Sequence, residues 1–188
     1  MEKNRCGWAN VSELDARYHD EEWGREVHDD NKLFECISLE GAQAGLSWST
    51  ILKKREGYRK AFCNFDLEKV AAFDTSKIDS LVANPEIVRH RGKIESVVNN
   101  ARVIRTIQKE YGSLDTYIWA FVDSKPIINN WRSLEDVPAS TPLSDQMSKD
   151  MKKRGFKFVG TTTMYAFAQA IGLVDDHLED CWCRKDKC

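Results

Sequence analysis

Between Arg91 and Gly112 the chain reads RGKIESVVNNARVIRTIQKEYG, and its apolar residues Ile94, Val97, Val98, Ala101, Ile104 and Ile107 recur every three or four positions. That spacing lines them up on one stripe of an α-helix about six turns long. No stretch elsewhere shows the sustained period-two alternation of a half-buried strand. A helix with one apolar stripe must be covered by other helices, so the expected fold is all-α, helix packed on helix.

Shorter segments repeat the signal. DDNKLFECISLEGAQAG offers Asp29 and Asp30 as caps, sets Leu33, Phe34 and Ile37 on one face, and stops near Gly45. LSWSTILKKREGYRKAF restarts at Ser47 with Ile51, Leu52 and Tyr58 inward. DLEKVAAF and TSKIDSLV read as short capped helices, and LDTYIWAFV as another. SDQMSKDMKKRGFKFVGTTTMYAFAQAIG reads as two helices joined by a tight hairpin, with Gly155 and Gly160 bracketing the turn, Thr161 capping the second helix and Gly172 ending it. The one long irregular stretch, KPIINNWRSLEDVPASTP, is the only hint of a lobe boundary, so residues 1–188 are expected to form a single domain of two helical lobes.

A chain of 188 residues buries roughly 70% of its unfolded surface and needs no disulfide lattice. No apolar leader opens the sequence, and no apolar run reaches the ~20 residues of a membrane helix. The expectation is a cytoplasmic protein whose six cysteines are reduced. A net charge of −2 excludes a generally basic surface, though not local patches.

Two of those cysteines stand near histidines at opposite ends of the chain. Cys6 and His19 lie in the first 20 residues, and His177 and Cys181 in the last dozen. Together they make a Cys2His2 set, the kind zinc takes in closed structural sites. If the second pair is helical, its i, i+4 spacing turns both side chains to one face. Such a metal would clasp two termini that otherwise fray, and four protein ligands would leave no open position for water. The alternative is plain burial, because cysteines commonly serve as small hydrophobes. Cys183 and Cys188 are either further ligands or surface thiols.

Trp8, Tyr18 and Trp23 fall near these residues, and LEGAQAGLSWST places Glu40, Gln43 and Trp48 at the junction of two expected helices. Aromatic faces with one carboxylate suit a flat cationic ligand. The competing reading puts the tryptophans in the core and Glu40 at a solvated helix end. GFKFVGT, a glycine-bracketed hairpin feeding a helix, exposes N–H groups able to hold a phosphate. Basic runs flank it at Lys152, Lys153, Arg154 and Lys157, with others at Lys53, Lys54 and Arg55 and at Arg89, His90, Arg91 and Lys93. Taken alone, these residues leave four readings open: a DNA-binding module without catalysis, a DNA-directed enzyme, a zinc hydrolase and a small-molecule binder.

RCGW, YHDEEWG, LEGAQAGLSW, RHRGKI, KKRGFKFVGTT and GLVDDH followed by a cysteine occur in this order from Arg5 to Cys181. In combination they resemble the 3-methyladenine DNA glycosylase I family. The resemblance implies a helix–hairpin–helix enzyme that flips 3-methyladenine out of double-stranded alkylated DNA and hydrolyses its glycosidic bond, acting as a monomer. It implies one structural zinc on Cys6, His19, His177 and Cys181. It also implies a base pocket in which Glu40 and Tyr18 meet the amino edge, Trp48 stacks on the ring, and Trp8 and Trp23 stand close by. Gly45 and Leu46 would enter the gap left by the flipped nucleotide. Gly155, Lys157, Gly160 and Thr161 would grip DNA. Trp182 interrupts what is an unbroken cysteine run in some relatives, but the His177–Cys181 pair is spared. The helix after the hairpin, TTTMYAFAQAIG, contains no acid. Asp175 and Asp176 come later and are expected to support the ligand histidine or cap a helix. No lysine stands out as a Schiff-base former, so strand cleavage is not expected.

Overall fold

The computed structural model describes residues 3–185, so Cys188 lies outside the described residues. The helices, in chain order, are α1 (Glu13–Glu21), α2 (Asp30–Ala42), α3 (Trp48–Ala61), α4 (Leu67–Ala71), α5 (Thr75–Val82), α6 (Arg91–Tyr111), α7 (Leu114–Trp119), α8 (Pro142–Lys153) and α9 (Thr161–Ala170). The architecture is mostly helical, as the periodicity requires. None of the described helices is long and apolar enough to cross a membrane.

Local chemistry accounts for most of the boundaries. The side chains of Asp29, Ser47, Asp66 and Asp74 each accept the N–H three residues on, at 2.8, 3.2, 3.0 and 2.8 Å, starting α2, α3, α4 and α5. Asp30 does not share that role at α2. Its carboxylate accepts the N–H groups of Leu114 and Asp115, both at 2.9 Å, and so caps α7 from a distance. The whole α6 stripe is buried, from Ile94 to Ile107. It packs on α2, α4, α5 and α7, forming the main core with residues of α3, α8 and α9.

A smaller cluster joins the chain ends: Cys6, Tyr18, Trp23, Leu52, Ala170, Leu178 and Cys181, with Trp8 and Trp48 against it. The irregular stretch is strapped onto this end. Ile127–Ile128 (β1) pairs in parallel with Val174–Asp175 (β2), and Trp131 bridges to Leu178. This two-residue ladder is the one sheet among the described residues.

Two helical expectations fail. Residues 177–181 are not helical. His177 leaves β2 and a turn follows, closed by Cys181 N–H donating to the Leu178 carbonyl at 2.9 Å, so the pair is brought together by a turn. Thr161 is not the cap of α9. Gly160 is, and no side chain caps that helix.

Candidate active site

The hairpin 154–160 turns on Gly155 at φ +97°, and Phe158 also adopts a positive φ of +56°. α6 holds this turn. Asn99 donates to the Gly155 carbonyl at 2.8 Å, and Asn100 donates to the Lys157 carbonyl at 3.0 Å while accepting the Lys157 N–H at 2.8 Å. Ser148 adds a bond to the Val159 carbonyl at 2.7 Å. The Thr161 hydroxyl bonds Ser144 and Asp145 of α8 at 2.9 and 2.6 Å, so it braces the hairpin. The first turn of α9 keeps its N–H groups free of any side-chain cap, at the positive end of the helix dipole. Gly45, at φ +78°, and the exposed Leu46 project from the link between α2 and α3.

Several basic residues read from the sequence as a DNA-facing surface have other partners. Arg55 forms a two-pronged pair with Glu22, both bonds at 2.8 Å. Lys93 is buried, donating to the carbonyls of Ala42 and Ala44 at 2.9 and 2.6 Å, where α2 ends. Arg154 is held by Asp150 and Glu110 at 2.9 and 2.8 Å, Arg91 bonds Asp79 and Glu95, and Lys54 donates to the Pro85 carbonyl at 2.8 Å. The exposed cations that remain, Lys53, Arg89, Lys152, Lys153 and Lys157, include three beside the hairpin.

Between the hairpin and the joined termini lies a cavity of about 390 Å³, large enough for a purine. Trp8, Tyr18, Trp23, Glu40, Gln43 and Trp48 all line it, so the cage expected from sequence is assembled. α1 supplies Tyr18, α2 Glu40, and the start of α3 Trp48. Asp15 ties α1 to α3 by accepting Ser49 Oγ at 2.9 and 3.0 Å, which fixes Trp48 opposite Tyr18. The Tyr18 and Trp48 rings stand 5.2 Å apart at 45°, and those of Trp8 and Trp23 5.1 Å apart at 72°.

Glu40 is buried, and its carboxyl has no hydrogen-bond or ion-pair partner among the described residues. Burial alone pushes its pKa up to about 8. Burial likewise raises Tyr18, with the Glu40 charge adding to it. An acid without a partner in an aromatic cage is costly unless something else completes it.

The far wall went unread in the sequence. Leu134 and Val137–Ala139 of the irregular stretch form part of it. Thr162, Tyr165, Ala166 and Gln169 of α9 form the rest, along with Asp176. Their i, i+3, i+4, i+7 spacing was a legible signal: a mixed stripe beside the buried Met164, Phe167 and Ala168.

Behind the cage the four residues His19, His177, Cys181 and Cys183 bring their ligand atoms within 4.8 Å of one another, so Cys183 stands in this group where the sequence placed Cys6. The Cys6 thiol bonds the Cys181 sulfur, which pulls Cys181 toward the thiolate and pushes Cys6 up. His19 presents Nε2 to the Cys181 sulfur at 3.5 Å, and its Nδ1 meets Asp20 at 3.0 Å. His177 bonds Asp175 through Nδ1 at 2.7 Å, whereas its Nε2 is buried with no partner. An orphaned imidazole nitrogen beside thiols, with a carboxylate behind each ring, is the donor pattern of a metal site. Cys183 comes near His19 from the Nδ1 side, at 3.9 Å, the side Asp20 already engages. Trp23 packs on His177 at 4.7 Å, and Trp8 on His19 at 5.4 Å, so the cluster props the cage directly.

The family model of methyladenine glycosylases matches residues 8–185. A relative from Haemophilus influenzae, a DNA-3-methyladenine glycosylase, is 49% identical over 180 residues, 96% of this chain and 97% of its own. A crystal structure of 3-methyladenine DNA glycosylase I superposes with a TM-score of 0.94 at 49% identity, over 96% of this chain and 100% of that one. The enzyme from Staphylococcus aureus, in a structure concerned with 3-methyladenine recognition, superposes at 0.93 and 40% identity, over 98% of both chains.

Proposed function

This chain belongs to the methyladenine glycosylase family, and on that premise we propose that it is a base-excision repair enzyme releasing 3-methyladenine from alkylated double-stranded DNA by hydrolysis, as a monomer and without strand cleavage. The observation that carries the reading is Glu40, a buried acid left without a partner inside a ring-lined cavity.

The lesion supplies most of the driving force. Methylation at N3 gives the base a positive charge. When its bond to the sugar breaks, the electron pair goes to the ring nitrogen and the base leaves neutral. No strong acid is needed to protonate it. Water then adds to the sugar carbon and gives up a proton. The protein must extrude the nucleotide, at a few kcal/mol, and hold the base. Glu40 bonds the amino edge and its charged form pairs with the cation; Tyr18 meets the same edge, and Trp48 stacks on the ring. Trp8 and Trp23 close the cage. Gly45 and Leu46 fill the gap in the duplex. The α9 N-terminus holds a phosphate through backbone N–H groups, with Gly155, Lys157, Gly160 and Thr161 shaping the grip. No lysine is among the residues lining the cavity, which supports hydrolysis without a Schiff base.

Zinc fits the donors behind the cage, with Cys6, His19, His177 and Cys181 as ligands. His19 Nε2 faces Cys181, Cys6 bonds that same sulfur, and His177 Nε2 has no other partner. A zinc held by four protein ligands supplies structure and no bond-making chemistry.

Incubating the purified protein with methylated DNA and identifying the freed bases is the direct test. Release of 3-methyladenine without adenine is expected. Equal release of both would remove the cation-based account. Trp48→Ala is expected to weaken binding of lesion DNA by about 1–3 kcal/mol, the range for a base on an aromatic ring, measured by fluorescence anisotropy.

A further inference from the structure

Exposure separates the floor of the cavity from its mouth. Tyr18, Trp23, Glu40 and Tyr165 are buried and form the floor. Three lining residues are exposed and mark the mouth: Leu134, Ala139 and Thr162. Thr162 stands in the first turn of α9, beside the hairpin. Leu134 and Ala139 stand on the irregular stretch, and Leu134, 44% exposed, has the largest side chain of the three. It packs on the N-terminal segment: a Cβ added at Gly7 would lie 3.3 Å from Leu134 Cδ1, one residue before Trp8 of the cage. The loop that carries it is braced. Asp136 accepts the Ser133 N–H and hydroxyl at 2.9 and 3.1 Å. Just upstream, the Asn129 N–H donates to the Asp175 carbonyl at 3.0 Å, and the Trp131 carbonyl accepts the Glu179 N–H at 2.9 Å.

We propose that Leu134 is a specificity-determining residue that limits the size of the alkyl group at N3 of the base. The inference rests on the glycosylase reading and deepens it. In adenine, C6 and N3 lie across the six-membered ring from each other. A base whose C6 amino group meets Glu40 and Tyr18 on the floor therefore turns N3 toward the mouth. N3 is also one atom away from N9, the nitrogen bonded to the sugar, and the sugar stays with the DNA outside. The N3 substituent thus arrives among the residues of the mouth. Thr162 offers a hydroxyl there and Ala139 a single methyl, whereas Leu134 offers a branched apolar chain. Val137 and Pro138, both half-buried, continue that apolar wall inward. A methyl group gains from contact with such a wall. One more carbon must displace a leucine already packed against Gly7.

The test uses the full chain and two double-stranded DNA substrates, one methylated and one ethylated, with release of 3-methyladenine and 3-ethyladenine followed separately. The native protein is expected to favour the methyl base in kcat/KM by at least about tenfold, the scale of one methylene in a fitted pocket. Leu134→Ala is expected to lower that preference about tenfold, and Leu134→Phe to raise it. A purely structural role would slow release of both bases alike and leave their ratio unmoved. An unchanged or raised preference in Leu134→Ala, or no preference in the native protein, overturns the inference. Should Leu134→Ala not fold, Leu134→Phe decides the matter: a raised preference supports the limit at the mouth, and an unchanged or lowered one overturns it. Failure of the native protein to release either base would end the glycosylase reading and this proposal with it. A ratio that changes at Leu134 do not move ends only this proposal.

Discussion

Cys181→Ser is expected to lower the melting temperature by at least about 10 °C and to abolish zinc binding, whereas Cys183→Ser is expected to shift it by no more than about 2 °C. Structural zinc contributes on the order of 10 kcal/mol to the folding of small fingers, comparable with the whole stability of a domain this size. Here the expected loss is smaller, because Cys6 and Cys181 belong to the smaller of two hydrophobic clusters and most of the buried apolar residues belong to the other. Even about 4 kcal/mol corresponds to roughly 8–16 °C for a chain of this length. The damage should spread to function through the rings. Trp23 leans on His177 and Trp8 on His19, so a loosened cluster loosens the cage. Gly24→Ala reaches the same end by another route: at φ +75° a new Cβ would lie 2.6 Å from Cε1 of His177. Calorimetry with metal analysis, before and after a chelator, reads all three variants. Equal losses in Cys181→Ser and Cys183→Ser would move Cys183 into the ligand set.

What could be read from the sequence was what short-range chemistry decides. The starts of α2, α3, α4 and α5 followed from one capping side chain each, and α6 from its stripe. The cage residues could be named because an acid and several rings are unusual side by side, whatever brings them together. What escaped notice depends on distant partners. α1 has no apolar stripe; its buried residues are Asp15, Tyr18 and His19, which are inside because of the acid–serine bonds and the ligand cluster. Asn99 and Asn100 look like surface amides until the hairpin they hold is present. The cations show the same limit in reverse. Lys93, Arg55 and Arg154 carry the composition of a DNA-facing patch, yet each is taken up by carbonyls or carboxylates far along the chain. His177 and Cys181 meet as expected, but by a turn after β2, since a parallel bridge from Trp131 to Leu178 occupies the backbone a helix would need.

Glu40→Gln is expected to lower kcat/KM for 3-methyladenine release by at least about 100-fold, the scale on which a buried charge contact to a reacting group acts, while making the protein more stable in alkaline solution. The two effects share one cause. The folded protein holds the Glu40 proton up to about pH 8, against 4.5 for the free side chain. Between those values the unfolded chain has lost a proton that the folded chain keeps, so each step up in pH favours unfolding. The native protein thus has its full stability with respect to this group below pH 4.5 and loses it as the pH rises through about 8. At about 1.4 kcal/mol per unit, the shift corresponds to at most about 4–5 kcal/mol above pH 8, and relaxation of the open cavity reduces it. Glutamine has no proton to lose, so denaturation midpoints of the two proteins should coincide near pH 4.5 and separate progressively toward pH 9, the variant the more stable. A cationic base in the pocket reverses the native penalty by pairing with the ionised acid, so lesion DNA should raise the native melting temperature at pH 8 more than that of Glu40→Gln. Parallel denaturation curves for the two proteins across this range would mean that Glu40 is solvated or partnered in solution, and would remove it from the floor of the base pocket.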